Sequence, residues 1–227
     1  MALIRASFVE ACWNYNCQLP YGLTTDPIRL AVEDVYNFFY RINSLLVEQE
    51  GLDFFESLVL GNTLSGMMSE LLVKRISAHS TTVARNILVG GHPDLIPYGI
   101  YRGDSTLRGV EGIEVKTSRQ DGGWQGHNPE VGWLMVFRYK MGDQSQPFEE
   151  RQPIQFVQIL AAPLEFEDWS LAERGAESRR TRTTSINRRG MHKLRSNPVY
   201  QDPSFIVAAD RSLWEQYAAL NQTFTKT

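Results

Sequence analysis

The chain has 227 residues and a formal net charge of −3, long enough for one full domain with an appended part. Its 42% hydrophobic and 22% charged content is that of an ordinary folded protein and excludes disorder, collagen-like repeats and a long coiled coil. No apolar run nears the roughly 18 residues that a membrane span needs. The N-terminus lacks the basic-then-apolar layout of a signal peptide, so a soluble cytoplasmic protein with no membrane partner is expected. Cys12 and Cys17 have no second Cys or His pair beside them and read as idle thiols of a reducing compartment.

The N-terminal part, residues 1–63, reads as helical. From Asp26 to Glu50, Ile28, Leu30, Val32, Val35, Phe38, Phe39, Ile42, Leu45 and Leu46 recur at three- and four-residue spacings, with Asp26-Pro27 as cap and first turn. A second helix is expected from Leu64 to about His79, with Met67, Met68, Leu71, Leu72 and Ile76 as its buried stripe and Glu70 the one acid within it. After Ser80 the pattern changes to short runs bounded by Gly, Pro, Asn or Asp, which predict strands. These are Val83 to Val89, Asp94 to Tyr101, Val110 to Ser118, Gly132 to Tyr139 and Ile154 to Ala161. Phe205 to Ala209 is a further candidate strand and Asp210 to Asn221 a closing helix, both within a C-terminal part over 204–227. Helices before and after a group of strands predict an α/β fold with a mixed sheet.

Charge is unevenly spread. From Arg174 to Arg195 there are eight Arg and Lys against one acid, Glu177, a net +7 in a chain of −3, which leaves −10 for the remainder. The protein therefore reads as an acidic body with a basic arm, polar enough to be ordered by an anionic partner more than by a core.

The residues able to do chemistry lie in Gly90-Gly91-His92-Pro93-Asp94 and in Gly112-Ile113-Glu114-Val115-Lys116-Thr117-Ser118. Side chains alternate along a strand, so Glu114 and Lys116 share one face while Val115 points the other way. The polar, glycine-bracketed segment Arg102 to Gly109 would fold the Asp94 strand back beside the Glu114 strand. Two carboxylates so joined make an oxygen-only site suited to Mg²⁺, with Mn²⁺ as substitute. Such a site implies phosphodiester hydrolysis, in which Lys116 would hold or deprotonate water, or offset charge on phosphorus. Asp104 is the weaker candidate for the first carboxylate because Gly-Asp-Ser reads as a turn. Glu111 is out of phase with Glu114 and should face away. His92 and His127 lack metal-ligand spacing and read as turn and surface residues.

Pro93-Asp94, a twenty-residue interval and Glu114-Val115-Lys116 resemble the motif of the PD-(D/E)xK nuclease superfamily. The resemblance covers a core over 64–161. It implies a restriction-endonuclease-like mixed β-sheet of four to five strands flanked by helices, with an N-terminal helical region. It also implies that Asp94, Glu114 and the main-chain carbonyl of Val115 hold Mg²⁺, that Lys116 is catalytic, and that Glu70 matches the additional upstream glutamate of many members.

A basic arm over 174–195 would bind phosphates and base edges of double-stranded DNA through Arg179, Arg180, Arg182, Asn187, Arg188, Arg189, Lys193 and Arg195. Arg119, Gln125 and His127, in the loop leaving the Lys116 strand, are further candidates. By resemblance to type II restriction endonucleases, a homodimer cutting a specific site is expected. A repair or junction nuclease, or a DNA-binding protein with the fold but no catalysis, are the alternatives.

Overall fold

A computed structural model of the chain describes residues 3–126, 128–171 and 184–206. Helix α1 spans Thr25–Glu48, α2 Phe55–Leu58 and α3 Gly61–His79. In α1 the buried positions Ile28, Ala31, Val32, Val35, Tyr36, Phe39, Asn43 and Val47 follow the helical period. Phe38 and Leu45 leave that stripe and are exposed, so the inward face is narrower than apolar spacing alone predicts. Helix α3 buries Leu64, Met68, Leu72, Val73 and Ile76. Glu70 lies off this stripe on the exposed side.

The strands are β1 (Val83–Arg85), β2 (Leu95–Pro97), β3 (Ile113–Ser118), β4 (Gln125–Gly126), β5 (Gly132–Lys140), β6 (Gln155–Leu164), β7 (Trp169–Leu171), β8 (Thr184–Ile186) and β9 (Pro198–Gln201). They form a six-stranded sheet, β1-β2-β3-β5-β6-β9, and a three-stranded sheet, β4-β8-β7. The large sheet is mixed, since β3 and β5 are parallel while its other pairs are antiparallel. It exceeds the four to five strands expected because β9, at the edge beside β6, joins the five predicted runs. The short second sheet was not anticipated.

Three predicted strands are trimmed at turns. The first stops at Arg85 because the Asn86 side chain takes over, donating to the carbonyls of Pro93 (3.0 Å) and Thr106 (2.8 Å). The second ends at Pro97, followed by a turn through Gly99 at φ +75°. The third begins only at Ile113, since Gly112 at φ +150° takes a backbone conformation that side chains disfavour.

Each face of the large sheet has its own core. Ile113, Val115, Met135, Phe137, Phe156 and Ile159 pack with α1 and α3. On the opposite face Leu134, Val136, Leu160, Ala162 and Leu164 meet Trp124, Trp169, Ile186, Met191 and Leu194. The last two belong to α4, Arg188–Arg195. The end of the basic arm is therefore ordered by a hydrophobic core and not by charge alone, contrary to expectation. Residues 174–183 of the arm and the predicted C-terminal helix lie outside the described residues, as does the candidate strand beyond Ile206. Among the described residues no helix is long and apolar enough to cross a membrane.

Candidate active site

Strands β2 and β3 meet in the register Leu95↔Ile113, which sets Asp94 opposite Glu114. The Asp94 carboxylate accepts a hydrogen bond from the Val115 backbone N–H at 2.9 Å. On β3, Ile113 and Val115 are buried in the helical face, so alternation turns Glu114 and Lys116 to the opposite face. The Lys116 ammonium lies 3.3 Å from Glu114 Oε1. The three residues singled out by spacing are thus gathered at one point.

Two partners escaped the sequence reading. His92 Nδ1 lies 2.9 Å from Glu114 Oε2, where a surface turn residue was expected. Glu130 Oε1 and Oε2 lie 3.1 and 2.9 Å from the Lys116 ammonium, so Lys116 sits between two carboxylates. Glu130 stands just before β5, and the parallel register Ile113↔Trp133 carries it to this place. Its carbonyl accepts from Trp169 Nε1 at 3.1 Å, tying it to the second core. A local signal existed in the acid that precedes the longest apolar strand run, but nothing in the sequence states which strand lies beside β5.

The electrostatics follow from crowding. Burial, then the charge of Glu114, push the Asp94 carboxyl up to about 7, against the Val115 N–H and the Lys116 charge, which favour ionisation. Burial also opposes ionisation of Glu114, but the His92 hydrogen bond and the Lys116 charge outweigh it and hold this carboxyl below its ordinary range. Burial disfavours the Lys116 ammonium, yet Glu114 and Glu130 together raise it. The hydrogen bond to Glu114 leads the causes that raise His92. Of two facing carboxyls, then, one is held ionised and the other is short of positive charge.

Asp94 and Glu114 are the side chains able to hold a divalent cation, with the Val115 carbonyl as a main-chain donor. Among the described residues no three His, Cys, Asp or Glu side chains form a metal-holding group. A two-carboxylate oxygen set suits Mg²⁺, which keeps several waters and takes one or two carboxylates. The Glu70 carboxylate pairs with Arg85 at 2.9 Å, and its charge is the last of the causes that raise Asp94. Asp104, at φ 46°, accepts from Gly99 N in a turn, and exposed Glu111 pairs with the Tyr21 hydroxyl.

The nucleic-acid candidates divide. Arg119, Gln125 and Arg188 are exposed. Asn187 is occupied as the N-cap of α4, accepting from the Arg189 and Gly190 N–H groups and donating to the Glu167 carbonyl. Arg189 pairs with Glu165 and Asp168, and Lys193 lies 3.0 and 2.6 Å from the same two acids. Arg195 donates to the Asp121 carbonyl at 3.2 Å. Much of the described basic charge is therefore answered within the chain. His127, Arg179, Arg180 and Arg182 lie outside the described residues. Comparison with family models, with curated proteins and with solved structures finds no match.

Proposed function

We propose that this chain is a Mg²⁺-dependent endonuclease that hydrolyses phosphodiester bonds of double-stranded DNA. The observation that carries the reading is the meeting of Asp94, just before β2, with Glu114 on β3 and with the Lys116 ammonium beside them. By the resemblance to PD-(D/E)xK enzymes, the reading extends to a homodimeric, sequence-specific type II restriction endonuclease.

The residues divide the work. Asp94 and Glu114 would hold the ion with the Val115 carbonyl, and Asp94, pushed up to about 7, gains the positive charge that its surroundings lack. When bound, Mg²⁺ supplies Lewis-acid charge at the phosphate and makes water more acidic, and Mn²⁺ would substitute for it. The Val115 N–H fixes the Asp94 carboxylate, and His92 fixes that of Glu114. Glu130 holds the Lys116 ammonium beside Glu114, where its charge can offset negative charge that gathers on the phosphate as water attacks.

Incubation of plasmid DNA with the protein and Mg²⁺ tests this reading. Discrete fragments are expected; a smear would keep the nuclease and remove the sequence specificity. Retardation of DNA without cutting, with Mg²⁺ and Mn²⁺ alike, would replace the enzyme with a binding protein. Asp94→Ala and Lys116→Ala should each slow cutting at least about a hundredfold with DNA affinity nearly kept, and cutting at the normal rate by either variant would remove the site.

A further inference from the structure

Ile87, Leu88 and Val89 leave the end of β1 as three successive apolar residues that are 68%, 43% and 96% exposed. A floppy loop would fold such side chains back on the body, but this tip is held from beneath. Asn86, 8% exposed, accepts from the N–H groups of Thr106 (3.2 Å) and Leu88 (3.3 Å) and donates to the carbonyls of Pro93 and Thr106. The Gly91 N–H closes the turn on the Leu88 carbonyl at 2.9 Å. A Cβ at Gly91 would lie 2.6 Å from both Asn86 Nδ2 and the Thr106 carbonyl, so the backbone is packed there without clearance. The tip is a built projection.

Its base is the candidate site. His92, which touches Glu114, receives the Gly109 N–H at 2.7 Å and donates its own N–H to the Leu107 carbonyl at 3.2 Å. Leu107 is itself 59% exposed, and Arg102 and Arg108 on the same connection are exposed and form no ion pair among the described residues. An apolar projection whose base at His92 bridges to the exposed cation Arg108 matches a polyanion with an apolar interior. Stacked bases between phosphate strands have that character, and apolar side chains can enter a base step by unstacking it.

We infer that Ile87, Leu88 and Val89 form a wedge that enters the base stack of duplex DNA beside the scissile phosphate, with Arg108 on the adjoining backbone. This rests on the endonuclease reading above. A wedge of this kind would bend the duplex so that the phosphate descends to Asp94 and Glu114, and it would favour cutting at easily unstacked steps.

The test uses the full chain and a duplex spanning a mapped cut, with 2-aminopurine beside the scissile phosphate and Ca²⁺ replacing Mg²⁺ for the binding measurement. Wild type should raise the fluorescence several-fold, and I87S/V89S should not. In Mg²⁺ that variant should cut the paired duplex about tenfold to a hundredfold more slowly, and a mismatch at the flanking step should restore most of the rate. Val89→Ser alone, at a nearly fully exposed position, should show the same direction with an unchanged melting temperature. Normal cutting of the paired duplex by both variants, or no rescue by the mismatch, overturns the wedge while leaving the nuclease intact. A wild-type protein that neither cuts nor binds duplex DNA overturns the nuclease reading and the wedge with it.

Discussion

Lys116 shows how much of this site depends on a single side chain's neighbours. Its ammonium is raised because two carboxylates, Glu114 and Glu130, outweigh burial. Glu130→Gln removes one of those charges, so the Lys116 pKa should fall toward its ordinary value, readable by ¹⁵N NMR of the ammonium. An unmoved resonance would mean that Glu130 does not hold it in solution. Tyr21 offers a second residue-scale test, because its hydroxyl accepts the Gly112 N–H at 2.7 Å and donates to Glu111, strapping the entry of β3 to the N-terminal segment. Tyr21→Phe leaves that N–H without its partner and should cost about 1–3 kcal/mol in chemical denaturation. Glu114 and Lys116 were legible from strand alternation, and Asp94 from the polar connection after it, Arg102 to Gly109, which folds its strand back beside β3. His92 was legible as a residue but not as a partner of Glu114, since a hydrogen bond across strands leaves no spacing in the sequence.

Among the elements, the β2–β3 pair and the α4 segment decide most. Gly112 is required where these strands diverge: an added Cβ would run into Pro93 Cγ and lie 2.5 Å from the Leu95 carbonyl. Gly112→Ala should therefore destabilise the fold by about 1–3 kcal/mol and move Asp94 off Glu114, so that cutting falls by more than the loss of folded protein explains. On the opposite face Trp124 is 3% exposed and packs in one core with Met191 and Leu194. Trp124→Ala should cost about 3–5 kcal/mol, measured by denaturant unfolding. The basic arm was legible as charge, but its role is not uniform. Arg188 is exposed while Arg189 is bound by Glu165 and Asp168. Arg188→Ala should lower the slope of log affinity against log salt by about one, whereas Arg189→Ala should chiefly loosen α4. An equal change of slope in the two would mean that Arg189 leaves its acids to meet phosphate.

At the scale of the whole molecule the site links metal, pH and stability. Asp94 is raised from 3.8 to about 7 on folding, so between those values the native state binds more protons than the unfolded state. Its contribution is thus fully present below about 4 and is lost as pH rises toward 7. Asp94→Asn should flatten the melting temperature across that window, and Mg²⁺ should raise the wild-type melting temperature above pH 7 but not that of the variant. A wild-type profile with the slope of the variant would contradict the shared burial of Asp94 and Glu114. The sequence by itself determined what a local period can encode: the inward side of α1 and α3 through Ile28, Val32, Val35, Phe39, Met68, Leu72 and Ile76, the alternation that sets Glu114 and Lys116 on one face of β3, and the concentration of positive charge near α4. Tertiary structure alone decided what those groups meet. Glu130, 14 positions from Lys116, arrives through parallel pairing of β5 with β3, and Glu165 and Asp168 reach Arg189 and Lys193 through a second sheet assembled from distant segments. The physical reason is range, because side-chain direction is fixed by the nearest few peptide units, whereas the partner of a charge is chosen by which strands share an edge.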